Sequence, residues 1–95
     1  MKTMHLVITG RVQGVGFRDW LVAEAQLLGL AGWVRNVGRD AVEAVISGDP
    51  GAVQACLQAC RRGPRLAAVE SITEKIAGPP AGPGFVKRAS LPDRP

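Results

Sequence analysis

Apolar positions along this chain follow strand-like and helix-like rhythms in turn, and the alternation predicts six elements and a short seventh. His5 to Arg11 reads as a first strand. Leu21, Ala25 and Leu28 then fall at four- and three-residue spacing, the stripe of a helix over Asp19 to Leu28, with Gly29 behind it as a C-terminal cap. A second strand, Gly32 to Val37, turns through Gly38-Arg39-Asp40 into a third, Ala41 to Ile46. So short a connection makes that pair antiparallel. Ser47-Gly48-Asp49-Pro50 opens another helix, with Asp49 as N-cap and Pro50 at the first helical position. Val53, Cys56, Leu57 and Cys60 form its apolar stripe, and Gly63-Pro64 stop it. A fourth strand covers Ala68 to Ile76, and after a Gly/Pro-rich loop (Gly78 to Gly84) a short edge strand is expected around Phe85 to Lys87. The remainder, from about Ser90, is expected to fray.

Strand, helix, strand, strand, helix, strand is an order with a small set of solutions. Two right-handed crossovers put both helices on one face of an antiparallel sheet, which predicts an α+β, ferredoxin-like βαββαβ sandwich with a short extra C-terminal edge strand. Ninety-five residues make one domain, spanning 1–95, and no internal repeat or linker divides it. An apolar fraction of 46% belongs to a globular chain. No apolar run approaches the roughly 18 residues of a membrane span. Met1-Lys2-Thr3-Met4-His5 leads into a strand without the apolar stretch of a signal peptide, so a cytoplasmic location is expected.

Chemistry concentrates between the first strand and the first helix, in Gly10-Arg11-Val12-Gln13-Gly14-Val15-Gly16-Phe17-Arg18. A glycine-spaced turn that opens a helix aims several backbone N–H groups at one spot, where the positive end of the helix dipole makes an anion site. Arg18 adds a guanidinium fork suited to a phosphoryl group. A P-loop would need Lys followed by Ser or Thr after its glycines, and none follows here. The dinucleotide fingerprint fails as well, because Asp19 stands where its third glycine belongs. Taken alone, the glycines are equally compatible with a tight turn that binds nothing.

A second block changes the balance. Gly10 to Arg18 resembles the first signature of the acylphosphatases, small enzymes that hydrolyse carboxyl-phosphate anhydrides. Gly32-Trp33-Val34-Arg35-Asn36, followed by Ala41-Val42-Glu43, resembles the second, at the right separation. The resemblance runs from about His5 to Phe85. It implies that Arg18 is the phosphate-binding arginine and Asn36 the residue that places the attacking water. It also implies that the backbone amides of Gly14, Val15, Gly16, Phe17 and Arg18 hold the phosphoryl oxygens. The implied substrate is a small acyl phosphate, handled by a monomer without metal, cofactor, nucleic acid or membrane. Two positions depart from the family pattern. Gly38-Arg39-Asp40-Ala41 stands where many relatives carry Asp-Gly, which would ask Asp40 to enter a left-handed conformation. Val37 replaces a hydroxyl residue found beside the asparagine in some members.

The remaining features are weighed against this reading. The formal charge is +4, with arginines at 11, 18, 35 and 39 in or near the two blocks, a field that would draw in a phosphorylated anion. Arg61, Arg62 and Arg65 cluster at the end of the second helix, where cations complement the dipole. Cys56 and Cys60 are expected as buried free thiols, and His5 as a surface strand residue, so neither supports thiol or imidazole catalysis. Two other functions remain open. One is a domain that binds phosphate or carbamoyl phosphate without turnover, as at the front of the larger carbamoyltransferases that mature hydrogenases. The other is an RNA-binding module on the same architecture, disfavoured because the aromatics are only Phe17, Trp20, Trp33 and Phe85, outside any RNP motif.

Overall fold

The computed structural model of the chain describes residues 1–80 and 82–92. Its elements run β1 (Lys2–Arg11), α1 (Phe17–Leu27), β2 (Ala31–Val37), β3 (Ala41–Gly48), α2 (Pro50–Arg62), β4 (Ala68–Ile76) and β5 (Phe85–Lys87). The five strands form one sheet in the order β4-β1-β3-β2-β5. β1 pairs antiparallel with both β3 and β4, and β2 pairs antiparallel with β3, as the ferredoxin-like order requires. The extra strand is the exception, since β5 runs parallel to β2.

Alternation along the strands explains which face is covered. Met4, Leu6 and Ile8 of β1 and Val42, Ala44 and Ile46 of β3 are buried on one side of the sheet. They join Phe17, Leu21 and Ala25 of α1 and Val53, Cys56, Leu57 and Cys60 of α2 in a single core. The other face carries His5, Val7, Glu43 and Arg35, and no helix of the described residues covers it. No helix among these residues is long and apolar enough to cross a membrane.

The helix ends show how local sequence sets the frame. Asp49 Oδ2 accepts from the N–H groups of Gly51 and Ala52 at 3.0 and 3.3 Å, and Pro50 fills the next position, as expected of an N-cap followed by proline. α1 ends in a Schellman motif, in which the N–H of Gly29 donates to Gln26 O at 3.1 Å and that of Leu30 to Ala25 O at 2.9 Å. Its start differs from the expected Asp19. Gly16, at φ 77° and ψ 20°, is the N-cap, so Phe17 and Arg18 already belong to the first turn.

The C-terminal segment is more firmly held than expected. Leu91 bridges to Val37 in parallel register, its N–H donates to Asn36 O at 2.8 Å, and its carbonyl accepts from Gly38 N at 3.0 Å. Fraying from Ser90 is therefore corrected as far as Leu91. Residues 93–95 of the expected tail, and Ala81 in the Gly/Pro-rich loop, lie outside the described residues.

Candidate active site

The site begins at the end of β1. The register of this strand against β4 shifts between Thr9 and Gly10, the kind of irregularity that re-aims a strand. The chain then makes a turn in which Gly14 and Gly16 take φ of 73° and 77°, values costly for any residue with a Cβ. Those two left-handed positions swing the backbone into the N-terminus of α1. No side chain caps that end. The first N–H of the α1 ladder is that of Trp20, donated to Gly16 O at 3.0 Å, which leaves the amides of Phe17, Arg18 and Asp19 without intrahelical partners.

These groups surround a cavity of about 220 Å³ lined by Val12, Gly14, Gly16, Phe17, Arg18, Asp19 and Asn36. The two sequence blocks therefore meet. Arg18 and Asn36, from α1 and β2, face one hollow. Among the described residues the Arg18 guanidinium has no ion pair. Asn36 Oδ1 is buried and, among the described residues, has no hydrogen-bond partner. An orphaned buried acceptor costs about 1–3 kcal/mol, so this one is held against the interest of stability. The Val15 side chain does not line the cavity and packs instead against the core. Phe17 anchors the turn from below, 1% exposed and edge-on to Trp20 with ring centroids 5.3 Å apart.

Two residues that the sequence reading passed over shape the site. Gln13 Nε2 donates to the carbonyls of Val37, Gly38 and Ala41 at 3.3, 3.1 and 2.9 Å, fastening the glycine turn to the β2–β3 connection. The N–H of Gly10 adds a bond to Asp40 O at 3.2 Å. Asp19 puts a carboxylate on the wall of the same cavity as Arg18. Lys87 Nζ donates to its Oδ1 at 2.8 Å, and that hydrogen bond holds the Asp19 carboxyl below its ordinary pKa. The lysine thus offsets the one negative charge that the wall carries.

Three expectations change. The left-handed position in the β2–β3 turn belongs to Gly38, at φ 60°, and no non-glycine residue among those described has positive φ, so Asp40 is unstrained. Val37 lies with Val7, Ala41 and Glu43 on the open sheet face, away from Asn36. Arg35 is also on that face and does not serve the cavity. Its Nε donates to Glu43 Oε1 at 2.7 Å while His5 Nε2 bonds Glu43 Oε2 at 2.7 Å. Burial pushes the Glu43 pKa up, but the hydrogen bonds from His5 and Arg35 outweigh it and hold the carboxyl below its ordinary value. Cys56 and Cys60 are free, buried thiols in the core. The neighbouring Cys56 thiol and burial hold the Cys60 pKa above its ordinary value, and Cys60 holds that of Cys56 below it.

Comparison with known proteins gives consistent results. The family model for acylphosphatases matches residues 4–86. A curated acylphosphatase of Acidiphilium cryptum is 59% identical over 90 residues, covering 95% of this chain and 99% of that protein. The structure of an acylphosphatase from Coxiella burnetii superposes with a TM-score of 0.87 at 30% identity, covering 92% of each chain. HypF of T. kodakarensis matches with a TM-score of 0.81 at 31% identity, over 96% of this chain and 12% of the much longer HypF chain.

Proposed function

The chain belongs to the acylphosphatase family, and from that premise we propose that it hydrolyses small acyl phosphates to a carboxylate and inorganic phosphate through Arg18, the glycine turn and Asn36. The observation that carries this reading is the shared cavity. A free guanidinium, uncapped helix amides and an orphaned amide oxygen face one hollow from two distant parts of the chain.

Each group has a distinct task. The amides of Gly14 to Arg18 and the Arg18 guanidinium bind the phosphoryl oxygens and stabilise the charge that they carry in the transition state. Asparagine cannot accept a proton at neutral pH, so Asn36 orients and does not act as a base. Its Oδ1 accepts a hydrogen bond from water and holds the water oxygen in line with the scissile P–O bond. That oxygen bonds to phosphorus as the bond to the acyl oxygen breaks. The departing carboxylate is a weak base and takes the electron pair without a general acid. The water proton passes to a phosphoryl oxygen of the substrate, a route that needs neither histidine nor a carboxylate dyad. No step calls on a metal or a cofactor.

The competing reading is a domain that holds phosphate without turnover, which the likeness to one-eighth or so of HypF keeps in view. Phosphate release from benzoyl phosphate by purified protein in excess chelator separates the two. Arg18→Lys replaces a two-pronged donor with a point charge and is expected to lose at least ~100-fold in kcat/KM while staying folded. Phosphate binding with no release by the parent protein supports the non-catalytic reading. Near-parental turnover by Arg18→Lys refutes the proposed role of the guanidinium.

A further inference from the structure

Strand β2 carries Asn36 near its end, and the β2–β5 ladder stops short of it, covering only Gly32, Val34 and the residue between. The even-numbered residues of β2 turn their main-chain groups toward β5, as the bond from Arg88 N–H to Val34 O at 2.8 Å shows. Beyond Val34 that side of the strand would be an open edge. It is closed by the chain past β5. The N–H of Leu91 donates to the carbonyl of Asn36 itself at 2.8 Å, and the Leu91 carbonyl accepts from Gly38 N at 3.0 Å. Between them Arg88 lays its guanidinium over the Trp33 ring, 4.6 Å from the centroid, and fixes the segment to β2 on the open face. All of these bonds come from residues beyond position 86, where the family match ends.

We infer that Leu91 is a positioning residue, whose two main-chain bonds set the backbone of Asn36 and Gly38 and thereby the direction of the Asn36 side chain. The inference rests on the reading of Asn36 as the group that places water. The opposite side of this strand segment is already fixed, by pairing with β3 (Asn36 opposite Val42, Val37 opposite Ala41) and by Gln13 on the Val37 and Gly38 carbonyls. Leu91 supplies the constraint on the remaining side. A side chain used to aim a water at a phosphorus atom depends on such constraints, because a misplacement of about 1 Å can cost ~100-fold in rate.

The test is a kinetic double-mutant cycle on the full chain, with Leu91→Pro, which removes the donated N–H, and Asn36→Ala. Leu91→Pro is expected to lower kcat about 10-fold or more, while inhibition by inorganic phosphate, which reports on Arg18 and the glycine turn, changes less than about twofold. In the Asn36→Ala background the same substitution is expected to cost less than about twofold, since the side chain that it misdirects is gone. Leu91→Ala keeps both main-chain groups and is expected to retain most of the rate. Parental kcat in Leu91→Pro, or an undiminished loss in the Asn36→Ala background, overturns the inference. An equal loss in Leu91→Ala does so too. If Leu91→Pro does not fold, an ester in place of the amide at Leu91, which removes the same N–H and keeps the side chain, is read by the same criteria. The two hypotheses fail differently: Asn36→Ala with parental kcat defeats the reading of Asn36 and this inference with it. A crippled Asn36→Ala beside a parental Leu91→Pro defeats this inference alone.

Discussion

Gln13→Ala removes the one side chain among the described residues that ties the glycine turn to the β2–β3 connection by hydrogen bonds. Its Nε2 carries two hydrogens and faces three carbonyls, at 2.9, 3.1 and 3.3 Å, so the bridge amounts to about two hydrogen bonds. At ~1 kcal/mol net for each, their loss costs about 2 kcal/mol. Truncation also releases a glutamine side chain whose ordering costs up to ~1.5 kcal/mol, which offsets part of that. A net destabilisation of about 1 kcal/mol corresponds to a fall in Tm of ~4–8 °C for a domain of this length. Catalysis should suffer more than stability. Two of the severed carbonyls, those of Val37 and Gly38, directly follow Asn36, and the turn carries the amides proposed to bind phosphate, so kcat is expected to fall ~10-fold or more. Gln13→Glu, of nearly the same shape, would present only acceptors to three carbonyls at neutral pH and should destabilise further. Thermal melts followed by circular dichroism and benzoyl phosphate turnover on the same preparations give both numbers. A Gln13→Ala protein that melts within about 2 °C of the parent and keeps its kcat would show that the two blocks hold their positions without the bridge.

Two further expectations follow from the site. Asn36→Ala should lower kcat by ~100-fold with little change in phosphate inhibition, and should leave stability unchanged or raise it by up to about 1 kcal/mol, because the atom removed is a buried acceptor without a donor; a large loss of stability with normal rate per folded molecule would make Asn36 a structural residue. Glu43 has a folded-state pKa below its unfolded one, so its contribution to stability is present at neutral pH and is lost as pH falls through the folded value. Urea midpoints measured from pH 7 downward should therefore fall less steeply in Glu43→Gln than in the parent, and identical acid limbs would refute that role.

Much of this architecture was legible because its signals are local. The Asp49-Pro50 pair marked the start of α2 to the residue, since an N-cap side chain and a proline act within one turn. The start of α1 was placed two residues late for the converse reason: its cap is Gly16, which has no side chain to announce it. Arg18 and Asn36 were found through the two blocks that bear them, and the cavity joins them. The contributions of Gln13 and Leu91 were not visible. Each acts by bonding main-chain groups brought near only by the sheet order, and nothing in the residue type discloses such a partner. Arg35 and Asn36 are neighbours in sequence, and only strand alternation, which turns them to opposite faces of the sheet, sets the arginine apart from the cavity. The direction of β5 depended on which edge the returning chain would reach, a choice that its three residues do not encode.

The place of β1 in the sheet has a consequence for how the molecule comes into being. β1, made before the other four strands, lies between β3 and β4, and it is stitched to them by side-chain pairs that close spans of 44 residues (Thr3 with Ser47) and 62 residues (Thr9 with Ser71). At a synthesis rate of about 5–20 residues per second, β1 must wait seconds for its second neighbour, with Leu6 and Ile8 lacking their final cover. Pairings of such sequence separation also place refolding among the slower small domains, on a scale of milliseconds to seconds. The turn that opens the hollow follows directly from β1, so the strand that leads into it is framed on both sides only when β4 has docked. Nascent chains that stall before β4 would have both signatures in hand and no enzyme.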